Sequence, residues 1–261
     1  MTEQARLDKV CLISGSTSGI GRGIAEHFAR RGARIVVHGR NASRGALVVK
    51  KIRETGGDAI FVEADLADEA SCRALVTQAV THYGQLDVLV NNAADTSRGT
   101  IESTSMALFD AILSSNLRAP FILMQEAVTH MKGRRSGSIV NIGSVNAYIG
   151  EPKLCAYSVS KGGLMTLTKN AASYLNQYRI RVNQINVGWT LTEGEDRVKR
   201  EGEGLGADWL EQAVKTRPFG RLLQPQDIAY AAAYFASEES ACVTGTVMDL
   251  EQYPVGAPPN W

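Results

Sequence analysis

The sequence lacks an uninterrupted apolar run. Nothing approaches the roughly 18 residues that a membrane span needs, and the run at 10–13, after a polar start, is too short for the core of a secretory leader. It also lacks a dominant charge. Twenty-eight basic residues face 27 acidic ones, leaving a net charge of +1, so no global field favours nucleic acid or an anionic membrane. The four cysteines, Cys11, Cys72, Cys155 and Cys242, are far apart and form neither a metal-ligand spacing nor a disulfide frame. No metal site is expected. Isolated buried thiols suit a reducing compartment such as the cytoplasm. A Pro/Ser-rich linker and a solenoid-length repeat are missing too, which leaves 1–261 as one domain of ordinary globular composition.

What is present alternates between two textures. Short apolar runs at 10–14, 34–39, 59–64, 86–91 and 137–142 are rich in Val, Ile and Leu and flanked by Gly, Asp or Asn. Such runs suit parallel strands covered on both faces. Amphipathic stretches at 20–31, 43–55, 69–83 and 106–131 read as helices between them. The second half adds a helix at 154–175, a strand at 180–186, a helix at 226–236 and a last strand at 246–250. The pattern predicts an α/β, Rossmann-type doubly wound three-layer sandwich with a seven-stranded parallel sheet. The polar, Gly-containing stretch inside 189–217 is long for a connection and is expected to be a substrate lid.

Three places carry chemistry. Directly after the first strand comes Ser14-Gly15-Ser16-Thr17-Ser18-Gly19-Ile20-Gly21, opening the first helix. Glycines there let the chain turn tightly and let phosphates approach the backbone, while the helix N-terminus offers free N–H groups. The spacing is G-x-x-x-G-x-G, not the G-x-G-x-x-G of the common dinucleotide fingerprint. The second strand ends Gly39-Arg40-Asn41, with no acidic residue to hold an adenosine ribose. Arg40 could instead pair a 2′-phosphate, which favours NADP, with NAD also possible. Tyr157 and Lys161 lie four apart in a predicted helix and share a face, so an ammonium can lower a phenol's pKa toward the working pH. Ser144 follows a strand, and Asn116 sits within a predicted helix, where Asn bends or opens the backbone.

With Asp65, Asn91-Asn92-Ala93 and Asn186-Val187-Gly188, these motifs make the chain resemble a short-chain dehydrogenase/reductase of the compact subgroup, from Val10 to about Leu250. The resemblance implies that Tyr157 is the proton donor and acceptor, that Lys161 binds the nicotinamide ribose and lowers the tyrosine pKa, and that Ser144 orients the substrate oxygen. It implies that Asn116 holds a water of a proton relay. Gly15, Thr17, Ser18, Gly19, Ile20 and Gly21 would meet the pyrophosphate side of the cofactor, and Asp65 and Leu66 the adenine. Asn92 and Ala93 would flank the adenosine, and Thr192 would touch the carboxamide. A homotetramer built on the helices at 106–131 and 154–175 is implied as well.

The chain departs from the family pattern at Ser14 (usually Thr), Ala94 (usually Gly) and Val187 (usually Pro). The usual Val-Asp-Gly-Gly ending gives way to Leu250-Glu251-Gln252-Tyr253 and a Pro-rich tail, 253–261, expected to pack on the substrate pocket or on a neighbouring subunit. Ser18 stands where many NADPH-preferring members carry a basic residue. The pocket should be lined by Asn146, Tyr148, Glu151, Lys153, Leu154 and Cys155, and by Trp189, Glu193 and 195–200. That polar mixture suggests a sugar, a polyol or a small polar ketone as substrate. Reduction of a 3-oxoacyl thioester stays open, as do a dinucleotide sensor without turnover and redox-neutral chemistry on the same fold.

Overall fold

The computed structural model describes residues 6–256. Seven strands form one parallel sheet in the order β3-β2-β1-β4-β5-β6-β7. They are β1 (Val10–Ile13), β2 (Arg34–Gly39), β3 (Asp58–Glu63), β4 (Val88–Asn91), β5 (Gly137–Ser144), β6 (Ile180–Val187) and β7 (Val247–Leu250). Successive side chains of a strand point to opposite faces, and both faces here are apolar. Cys11, Ile13, Ile35 and Val37 join one buried cluster; Val10, Leu12 and Val36 join the other. That is why the strands read as continuous apolar runs.

Helices α1 (Gly19–Arg30), α2 (Ala42–Glu54) and α9 (Pro225–Ala236) contribute to the first cluster, with Phe28 and Phe235 as its largest fully buried side chains. Helices α3 (Glu69–Tyr83), α5 (Ala119–Lys132) and α6 (Cys155–Leu175) contribute to the second. Asp68 caps α3 by accepting from the Ser71 N–H, and Gly84 ends that helix in the left-handed region at φ 78°. Cys11 and Cys72 are buried and Cys242 is exposed, and all four thiols are free.

The helix expected over 106–131 is three pieces: α4 (Met106–Leu113), a π-helical turn at Ser114–Arg118, and α5. The run Met106–Lys132 is long and apolar enough to cross a membrane by length and composition, its 18-residue window reaching a mean hydropathy of 1.2. Asp110, Arg118 and Glu126 interrupt it, and Ile122, Leu123, Ala127 and Met131 are buried in the second cluster.

The stretch expected as a lid carries more structure than its polar sequence suggested. It holds α7 (Glu193–Arg197), a π-helical turn (Val198–Gly202) and α8 (Trp209–Lys215). Trp209, Ala213 and Leu222 form a small core of their own, with Trp189, Leu191 and Leu210 packed against it.

The strand order reverses between β1 and β4. In open α/β sheets, ligands bind outside the carboxyl ends of the strands at that point. The loops after β1, β4, β5 and β6 therefore define the site.

Candidate active site

The glycine-rich turn follows β1 and is anchored from two neighbouring strands. The Ser14 hydroxyl accepts the N–H groups of Asn92 (2.9 Å) and Ala93 (3.0 Å). The Asn92 amide in turn donates to the carbonyls of Ser14 and Gly15. Gly15 has φ +64°, and a Cβ on it would lie 2.8 Å from Ala93 Cα. A Cβ on Gly21 would collide with the Gly15 carbonyl and the Asn92 amide. Only glycine fits either position. The first turn of α1 has no acidic residue, and Ser18 at its N-cap makes no side-chain capping bond. The result is a tight turn running into an uncapped, electropositive helix start, which fits a pyrophosphate.

His38 was missed in the sequence. It is buried in β2, its Nδ1 accepts the Gly15 N–H (3.0 Å), and its Nε2 lies 3.2 Å from the Ala64 carbonyl. These partners fix the neutral tautomer with the proton on Nε2. The imidazole thus ties the glycine turn to the end of β3, beside Asp65. The signal was a histidine directly after the apolar run 35–37, but its partners lie 23 and 26 residues away along the chain.

Burial pushes His38 down to about 4, with Arg40 lowering it further while the Ala64 carbonyl and Asp65 oppose. His27 is also pushed to about 4, by burial and then by Arg30 and Arg31. Between pH 6.5 and 4 the unfolded chain holds more protons than the folded one. The stability these neutral rings contribute is therefore present above pH 6.5 and lost as pH falls toward 4. At pH 5 the loss is about 2 kcal/mol per histidine. Urea midpoints at pH 7.5 and 5 should show a clear drop, reduced by about half in His38→Asn. An equal drop in that variant would remove His38 from this account.

The end of β2 and the start of α2 are open to solvent. Arg40 is exposed, and neither Arg40 nor Arg44 has a side-chain ion pair among the described residues. Thr17, Ser18, Arg44 and Lys51 line a cavity of about 280 Å³ together with Arg197 from α7. Asp65 is exposed and accepts the Ala67 N–H, and Leu66 is buried in the second cluster.

Tyr157 and Lys161 share one face of α6, with the ammonium 5.6 Å from the phenol ring centroid. Lys161 is buried and donates to the Ile142 carbonyl at 2.8 Å. Burial pushes it down to about 8. The tyrosine does not show the lowered pKa expected from that neighbour. Burial raises it above the ordinary phenol value, the Ser144 hydroxyl pulls it back, Glu195 raises it and Arg98 lowers it. The lysine charge is held at the Ile142 carbonyl rather than at the phenol oxygen. Ser144, at the end of β5, also accepts the Asn146 N–H at 3.2 Å.

Asn116 sits in the π-helical turn and is fully buried. Its amide exchanges two hydrogen bonds with the Asp95 backbone, 2.7 and 2.9 Å, and donates to Ser160 at 3.1 Å. The side chain thus fixes the loop after β4. Thr192 caps α7 by accepting the Glu195 N–H, and its methyl lies next to Gly19.

The loop after β4 brings Arg98 to the segment 193–203. Arg98 pairs with Glu203 (3.0 Å) and Glu195 (3.7 Å), and Lys199 pairs with Glu203 (2.8 Å). The Trp189 indole donates to Glu195 at 2.9 Å. Tyr148 faces Asp249 and Asn186. Gly99 bridges to Leu154, which leaves the Lys153 carbonyl occupied by the Gly99 N–H. Arg98 was not among the residues expected here; nothing in its local sequence marks it.

A family model described as enoyl-(acyl carrier protein) reductase matches residues 15–251. An uncharacterized oxidoreductase from Thermotoga maritima is 37% identical over 93% of this chain and 96% of its own length. A probable galactose dehydrogenase from Rhizobium meliloti is 36% identical over 94% of each chain. The crystal structure of levodione reductase superposes with a TM-score of 0.89 at 28% identity, covering 95% of this chain and 98% of the other.

Proposed function

The chain belongs to the short-chain dehydrogenase/reductase family and is an NAD(P)-dependent oxidoreductase of carbonyl and alcohol groups, and from that premise we propose that it acts on a polar, hydroxyl-bearing substrate with NADP(H). The observation behind the substrate class is the polar wall before Tyr157. Glu195 and Arg98 are both close enough to shift its titration, and Tyr148 stands opposite Asp249. Arg40, exposed and without an ion pair among the described residues, and the lack of a carboxylate in the sequence at 39–41 support a 2′-phosphate.

The bound nicotinamide supplies or accepts the hydride. Ser144 holds the substrate oxygen near Tyr157. Tyr157 gives that oxygen its proton as a carbonyl becomes an alcohol, and takes it back in the reverse direction. Lys161 would hold a nicotinamide-ribose hydroxyl with the ammonium that here donates to the Ile142 carbonyl. The π turn at Asn116 leaves backbone for a water that refills the proton. Gly15, Thr17, Ser18, Gly19, Ile20 and Gly21 would hold the pyrophosphate side, Asp65, Leu66, Asn92 and Ala93 the adenosine side, and Thr192 the carboxamide.

The lid at 189–217 closes over this site. A homotetramer would cover the exposed Met106, Phe121 and Val159 and the apolar groove beside Leu113, Leu117 and Leu167. The four free thiols suit the cytoplasm.

A 3-oxoacyl thioester is the second reading, supported by the acyl-carrier description of the matching family model. A direct comparison tests it. Sugars and polyols with NADP should turn over at least tenfold faster, by kcat/KM, than an acetoacetyl thioester is reduced with NADPH. The opposite ratio would replace the first reading by the second.

A further inference from the structure

The residues just after β7 are unlike the family's usual ending, and they grip both roots of the lid. The Glu251 carboxylate lies over Gly188, in space that a Cβ there would fill. It accepts the Trp189 N–H at 3.4 Å. Arg217, on the returning root, is 3.9 Å from Glu251. Its guanidinium also stacks over two rings, Trp189 at 5.4 Å and Tyr253 at 5.3 Å. The Tyr253 hydroxyl donates to the Thr216 carbonyl at 2.7 Å. Gln252 donates to the Arg221 carbonyl (2.6 Å) and accepts the Phe219 N–H (3.1 Å).

The outgoing root is thereby fixed to the returning one, which also meets it through Leu191 and Leu223. Trp189 carries the constraint into the site, because its indole N–H holds Glu195, and Glu195 is tied to Arg98.

We propose that Glu251, Arg217 and Tyr253 are positioning residues that latch the lid, 193–215, and through Trp189 set Glu195 before Tyr157. The proposal rests on the reading that this lid covers the substrate. The tail beyond 256, expected to pack on the pocket or a neighbour, lies outside the described residues; residues 251–253 pack on the lid roots of their own chain.

Two readouts test the latch without any substrate, so they can fail independently of the substrate reading. The first is limited trypsin cleavage after Arg197, Lys199, Arg200 and Lys215, compared with cleavage after Lys50 and Lys51 in α2. Arg217→Leu should speed cleavage in the lid at least tenfold, and Tyr253→Phe about threefold, with the α2 sites unchanged. The second is indole emission. Arg217→Leu should shift it to the red, and the shift should vanish in a Trp189→Phe background. Should Arg217→Leu fail to fold, Glu251→Gln and Tyr253→Phe carry both readouts. Lid cleavage within twofold of the parent, or an equal rise at the lid and α2 sites, would overturn the proposal.

Discussion

Tyr157→Phe should lose at least a thousandfold in kcat while binding NADPH within about threefold of the parent. General acid–base groups contribute roughly 10²–10⁴, and a thousandfold corresponds to about 4 kcal/mol of barrier. Removing the hydroxyl leaves the ring packed as before, so the fold and the glycine turn are untouched. It deletes the group flanked by Ser144 and placed on the helix face that carries Lys161. The measurement is paired: single-turnover rates on the best substrate, and NADPH titration by nicotinamide fluorescence. A tenfold loss or less would mean that the proton comes from elsewhere. Tyr148 would then be the next group to examine, since it faces Asp249 nearby.

Much of the fold was legible because both sheet faces are buried. Strand β1 needs apolar residues at all four positions, Val10 to Ile13, two for each cluster. Periodicity could place it and its neighbours. It could not reveal the π turn at Ser114–Arg118, where one helix becomes two, because a single extra residue in a turn leaves the apolar pattern almost intact. The stretch 189–217 was legible as an excursion but not as structure. Helix α7 reads Glu-Gly-Glu-Asp-Arg and has no buried residue. It is held by Thr192 at its N-cap, and Glu195 and Glu203 by ion pairs to Arg98, about a hundred positions away.

The site divides in the same way. Helical spacing places Tyr157 and Lys161 on one face, but it was the family resemblance that singled the pair out. Their electrostatics did not follow from spacing. Burial is the largest influence on the Tyr157 phenol and raises it, while Lys161 donates to a carbonyl of β5. His38, Arg98 and Glu251 act through partners 23, 105 and 62 residues distant, so no window of sequence contains the interaction that gives each its role.

Arg40→Asp should change the preference between NADPH and NADH at least a hundredfold. The Arg40 guanidinium is exposed at the end of β2, is unpaired among the described residues, and lies near enough to His38 to lower its pKa. A guanidinium there would give a 2′-phosphate charge-assisted hydrogen bonds. Their loss together with a new like-charge repulsion is worth about 3 kcal/mol, or roughly a hundredfold in Kd. The introduced carboxylate faces no such penalty with NADH, because it can accept from the ribose hydroxyls. NADH should therefore bind within about fivefold of the parent, or more tightly. Arg44, in the first turn of α2 and likewise without a side-chain ion pair among the described residues, provides the control: Arg44→Ala should weaken NADPH severalfold and leave NADH unchanged. Equal weakening of both dinucleotides in Arg40→Asp would show that this arginine does not read the phosphate. Any NADP(H) preference measured in the parent would then have to come from other groups, such as those of the cavity beside Thr17, Ser18 and Lys51.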